Sequence, residues 1–138
     1  MIVYLDSSVI LRFVLEQEGL LRDADDAEAS VTSLITLVEC LRSVDNLRLR
    51  AAFDEDEYVV RRTAVHDKLR GVTRLPPVAS ILLRACDALP TPLKALDAIH
   101  LATALQWRQR RASDLVFATH DRQLGRAASA LGFPVIGV

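Results

Sequence analysis

The sequence predicts a three-layer α/β/α sandwich built on a mainly parallel sheet of about five strands, and three observations carry that prediction. Short apolar runs alternate with longer segments of helical periodicity along the chain, the order expected of strands joined by crossover helices. Apolar residues make up 51% of the 138, enough for one sizeable core with elements buried on more than one side. No repeat, linker or low-complexity stretch interrupts the pattern, so residues 1–138 read as a single domain.

Residues 2–5 are apolar throughout, as in a strand interior to a parallel sheet. Ser7 or Ser8 is placed to cap the helix that follows, whose Val9, Ile10, Phe13 and Val14 have helical spacing. Past Glu18 and Gly19, residues 20–27 read as a short helix or turn beside a solvated acidic group of Asp23, Asp25, Asp26 and Glu28, and residues 29–32 as a brief strand. Ser33 then stands as the N-cap of a long helix over 34–50 that buries Leu34, Leu37, Val38, Leu41 and Val44. Glu39 falls on the adjoining stripe with Ile35 and Ser43.

Asp54 opens a second amphipathic helix to Leu69, with Tyr58, Val59, Arg62, Val65 and Leu69 along one stripe. The acids at 54–57 crowd its first turn, where the helix dipole favours negative charge, so they need no function. Gly71 ends that helix, residues 72–75 form a third strand, and Pro76-Pro77 turns the chain into a helix over 78–88. Thr91-Pro92 starts a helix that reaches Arg110. Its stretch 95–105 is interrupted only by Asp97, His100 and Thr103 and must be buried almost all round. A strand from Asp114 or Leu115 to Thr119, a helix over 122–131 ended by Gly132, and a strand over 133–138 complete the pattern.

Composition narrows the chemistry. A net charge of -1 gives no global positive field of the kind nucleic-acid binders carry. Apart from Lys68 and Lys94 every basic residue is arginine, which suits bidentate phosphate contacts and equally reflects a GC-rich genome. Cys40 and Cys86 sit in apolar helical patterns without metal-ligand spacing and read as reduced core residues. Asp6 arrives too soon for a signal peptide and no apolar run is long enough to span a bilayer, so the expectation is a soluble, cytoplasmic protein with no membrane partner.

Four acids stand out by position. Asp6 ends the first strand, Asp121 follows the fourth, Asp97 interrupts an apolar helix, and Glu39 lies on the helix after the second strand. Each has an ordinary reading: Asp6 as a turn residue, Asp121 as an N-cap, Glu39 as a surface glutamate, Asp97 as a buried acid paired with a cation. Topology argues for taking them together, because acids that follow strands of a parallel sheet meet along its C-terminal edge. Oxygen donors without a Cys or His cluster select a hard cation such as Mg²⁺ or Mn²⁺, the equipment of metal-assisted phosphodiester hydrolysis.

The segments Leu5-Asp6-Ser7-Ser8-Val9, Leu37-Val38-Glu39, Leu96-Asp97-Ala98-Ile99-His100-Leu101-Ala102-Thr103-Ala104 and Thr119-His120-Asp121 resemble the four motifs of PIN-domain ribonucleases. In order, interval and length the chain is most similar to the VapC toxins of toxin-antitoxin pairs. The resemblance implies a PIN-like sandwich and a Mg²⁺- or Mn²⁺-dependent endoribonuclease, with Asp6, Glu39, Asp97 and Asp121 as the acidic, metal-holding site. It further implies that Ser7 and Thr119 support that site, that the substrate is RNA, that a VapB-type antitoxin inhibits it, and that the chain forms homodimers. An RNA backbone approaching so acidic a groove needs compensating charge, for which Arg12, Arg42 and Arg122 are the expected rim. His100, one turn from Asp97, is expected to orient it, whereas His66 and His120 carry no assignment.

Two other classes remain. A PIN-like module that docks RNA or protein without cutting would have lost a carboxylate, and all four are present. A phosphoacceptor receiver domain needs an acid after its third strand and a lysine after its fifth, whereas Leu75 leads into Pro76-Pro77 and no lysine follows Lys94.

Overall fold

The structure is a computed structural model and describes residues 1–111 and 114–138. Its strands are β1 (Ile2–Leu5), β2 (Ala29–Ser33), β3 (Thr73–Leu75), β4 (Leu115–Ala118) and β5 (Val135–Ile136). Between them lie α1 (Ser7–Val14), α2 (Arg22–Asp25), α3 (Ile35–Leu49), α4 (Glu55–Leu69), α5 (Ala79–Ala85), α6 (Ala95–Arg111) and α7 (Arg122–Ala130). The strands form one sheet in the order β3-β2-β1-β4-β5, every pair parallel. Apolar β1 therefore takes the centre, with Ile2 opposite both Ala29 and Leu115.

Alternation along β1 divides the core in two. Val3 and Leu5 face a cluster with Val9 and Ile10 of α1, Cys40 and Val44 of α3, and Val65 and Leu69 of α4. Tyr4 faces the opposite cluster, with Leu101 and Ala104 of α6 and Leu124, Ala127 and Ala128 of α7. This is the expected three-layer sandwich with a five-stranded parallel sheet.

Local expectations shift where polar groups override apolar spacing. Asp6, rather than Ser7 or Ser8, caps α1, its carboxylate accepting from the Ser8 N–H. Ser33 closes β2 instead of capping α3, and its hydroxyl reaches only the Ile35 N–H, at 3.4 Å. The buried positions of α3 are Thr36, Cys40 and Val44, while Leu34 and Val38 are 41% and 60% exposed. The cause is a buried hydroxyl pair: Thr32 donates to the Leu5 carbonyl and meets Thr36 at 2.7 Å, which turns Thr36 inward and leaves Leu34 and Val38 outside, while Val44 stays buried and Leu37 and Leu41 pack against the core. Val59 of α4 is likewise exposed, and so is Cys86, which is therefore not a core residue.

The helix expected from Thr91-Pro92 begins at Ala95. Leu89 and Leu93 pack against the second core, and the Thr91 hydroxyl donates to the Gln123 carbonyl at 3.0 Å, which holds this segment outside the helix. The consequence bears on the site, because Asp97 falls in the first turn of α6 and is only partly buried.

Candidate active site

The C-terminal ends of β1 and β4 lie side by side, the Asp6 N–H donating to the Ala118 carbonyl at 3.2 Å. The Asp6 side chain is buried there and offers both oxygens to donors. One accepts from the Ser8 N–H at 2.6 Å and from the Ser8 hydroxyl, the other from the Thr119 hydroxyl. Those hydroxyls accept in turn: Ser8 from the His120 N–H at 2.9 Å and Thr119 from the Asp121 N–H at 3.0 Å. Three groups after β4 and two after β1 are thus tied through one carboxylate, and the bonds offset the cost of burying it.

Asp121 is exposed at the start of α7, where one oxygen accepts from the Leu124 N–H at 2.9 Å. Glu39 reaches back from α3: one oxygen accepts from the Ser7 hydroxyl at 3.2 Å and the other lies 2.6 Å from Nε2 of His100. His100 therefore touches Glu39, in place of the expected contact with Asp97 one turn away.

Asp97 is where the electrostatics of the four acids meet. Its pKa is raised, first by burial and then by the negative charges of Asp121 and Asp6, with Glu39 adding to the effect and only His100 opposing it. One side chain therefore feels the other three carboxylates. Among the described residues, no three His, Cys, Asp or Glu side chains stand close enough to enclose a metal ion. The four acids share one electrostatic neighbourhood without forming a closed ligand shell.

This donor set fits a hard divalent cation. It is made of carboxylates and hydroxyls, and the charges of Asp121, Asp6 and Glu39 add to burial in raising Asp97. Asp6, Glu39, Asp97 and Asp121 are the residues that would hold such an ion.

A groove of about 530 Å³ leaves this edge between α1 and α3, lined by Ser8, His120 and Asp121 and further out by Arg12, Asn46 and Arg50. Arg12 is the one expected rim arginine that lines it. Arg42 is paired with Asp45 at 2.8 Å, and Arg122 lines a different depression with Arg126. Arg50 was not singled out in the sequence, nor was Ser8 as a supporting hydroxyl. Spacing from Asp6 was available for Ser8, but Arg50 lies on a separate helix end and has no such signal.

The C-terminal strand braces the loop after β4. The Thr119 N–H donates to the Ile136 carbonyl at 3.1 Å, and Nδ1 of His120 lies 2.9 Å from the Gly137 carbonyl. Gly137 has φ of +103°, and a Cβ there would stand 2.3 Å from the Thr119 carbonyl oxygen. Gly137→Ala should cost about 1–3 kcal/mol in backbone strain alone, with further loss from the clash. A melt checks the stability, which should fall as Thr119 is displaced.

This arrangement belongs to a recognised class. Residues 3–130 match the family model of the PIN domain, and the chain belongs to that family. Within it, the chain is 34% identical over 142 aligned positions to Ribonuclease VapC46 of Mycobacterium tuberculosis (strain ATCC 25618 / H37Rv). The alignment covers 97% of this chain and 95% of that relative. No helix among the described residues is long and apolar enough to cross a membrane.

Proposed function

We propose that this chain is a Mg²⁺- or Mn²⁺-dependent endoribonuclease and the toxin of a VapBC-type pair. The observation that carries the proposal is the position of Asp97 within reach of the charges of Asp6, Glu39 and Asp121 at the C-terminal edge of the sheet, in a PIN domain similar to a ribonuclease. A divalent ion held there would supply an activated water and charge for the leaving oxygen of a phosphodiester. The chain's own residues prepare the place for it. Ser8 and Thr119 fix both oxygens of Asp6, Ser7 and His100 fix those of Glu39, and the α7 cap fixes Asp121. Arg12 and Arg50 give the groove positive charge for the phosphates on either side of the cut. A VapB-type antitoxin would occupy the same groove, and the chain would work as a homodimer in the cell interior.

Expression without an antitoxin should arrest growth and produce RNA fragments with new ends, and Asp6→Asn should do neither. Growth arrest that is equally strong in Asp6→Asn would sink the proposal. RNA binding without cleavage by the wild type, with divalent metal present, would identify a docking module instead.

The rim can be graded. Arg12→Glu should weaken binding of a fluorescent RNA several-fold and reduce its salt dependence, because a phosphate contact is lost and a repulsion added. Arg42→Glu should act less, since Arg42 already serves Asp45. Equal effects of the two variants would remove the groove from RNA recognition.

A further inference from the structure

Tyr4, His100 and Glu39 form one hydrogen-bonded chain from the core to the site. Tyr4 is fully buried in the central strand and packed against Phe117, with ring centroids 5.0 Å apart. Its hydroxyl lies 2.8 Å from Nδ1 of His100, a residue 1% exposed. The other ring nitrogen, Nε2, lies 2.6 Å from Oε1 of Glu39, and Oε2 of Glu39 accepts from Ser7.

The proton positions follow from what each group can do. A phenol keeps its proton at neutral pH, and the Tyr4 hydroxyl, 2.8 Å from Nδ1, is placed to donate it there. An Nδ1 that accepts from the phenol is bare, which places the ring proton on Nε2, where it donates to Glu39. The opposite tautomer would set a bare Nε2 against a carboxylate 2.6 Å away, two acceptors with no proton between them. Tyr4 lies on β1 two residues before Asp6, which directly follows the strand, so the segment that carries one acid orients, through His100, a second that comes from α3.

We infer that Tyr4 and His100 are positioning residues for Glu39, with the Tyr4 hydroxyl selecting the Nε2–H tautomer that aims the carboxylate at the shared site. This rests on the nuclease reading and adds to it a role for two core residues that touch neither RNA nor metal. A histidine that orients an acid in this way acts as an outer-shell partner, whose loss typically lowers metal affinity or activity about 10–100-fold.

Three variants and one spectrum test it. His100→Leu should lower kcat for RNA cleavage and weaken Mn²⁺ binding, measured by calorimetry, each by about tenfold or more, with little change in KM for RNA. His100→Gln, which returns an N–H near the Nε2 position, should recover most of both. Tyr4→Phe should lie between, and the nitrogen chemical shifts of the His100 ring should change from a single Nε2–H form to a mixture. The inference is overturned if a folded His100→Leu protein matches the wild type in kcat and Mn²⁺ affinity, or if Gln is no better than Leu at equal Tm. It is also overturned if the wild-type ring carries a proton on Nδ1, whether alone or together with one on Nε2. The spectrum needs neither RNA nor metal: a wild type that shows the Nε2–H form yet neither cuts RNA nor binds Mn²⁺ would defeat the nuclease reading and leave the hydrogen-bonded chain standing.

Discussion

Asp97→Asn should lose RNA cleavage by at least about a hundredfold, the scale on which removing one preorganised charge from a reaction centre acts, while the metal-free protein becomes more stable. Both effects come from one observation: the carboxylate is half-buried beside three others, and that environment raises its pKa. A folded-state pKa above the unfolded one means that the folded chain binds the proton more tightly. The stabilisation this brings is fully present below the unfolded carboxylate pKa and is lost as pH rises through the folded one. The stability advantage of the Asn variant over the metal-free wild type should therefore grow through the acid range and level off towards neutral pH. Denaturant melts at several pH values measure it. An ordinary buried ion pair would behave oppositely, because breaking it strands a partner charge at about 3–5 kcal/mol. A destabilised variant that still cuts RNA would rule out the site role.

Mn²⁺ should reverse the penalty. An ion that binds the folded chain and not the unfolded one stabilises by about 2.7 kcal/mol at a hundred times its Kd, which for a domain of this length raises Tm by roughly 10 °C. The shift should shrink sharply in Asp97→Asn, which has less repulsion to relieve and one ligand fewer. The acids do not form a closed shell among the described residues, so binding should also draw their side chains together. Identical melting of the wild type with and without millimolar Mn²⁺ would count against any metal at this edge.

The layers of this fold were legible because burial on both faces leaves a local mark. Residues 2–5 are apolar without alternation, as a central parallel strand must be, and they occupy the centre of the sheet. The approximate place of the acids was legible too, since the C-terminal ends of parallel strands share an edge. Their connections were not. Thr119 reaches Asp6 across 113 residues and His100 reaches Glu39 across 61, and contacts at such separations have no periodicity to betray them. The inward turn of Thr36 was hidden for a related reason: a buried threonine satisfied by another threonine reads as a polar gap in a pattern scored by apolarity. Asp6 as its own helix cap was obscured by two serines that satisfy the same sequence rule. Glu39, whose position between core and surface was ambiguous by spacing, proves to bridge α3 and α6.

The central claim is that these carboxylates make a metal-dependent site for cutting RNA, and cleavage of one defined RNA tests it most directly. The wild type is carried from EDTA into rising Mn²⁺ beside Asp6→Asn, Glu39→Gln, Asp97→Asn and Asp121→Asn. The expected result is a wild-type rate that climbs from background to a plateau with Mn²⁺ while all four variants, folded by their melting curves, stay near background. Undiminished cleavage in EDTA, or four variants that cut as the wild type does, would contradict it.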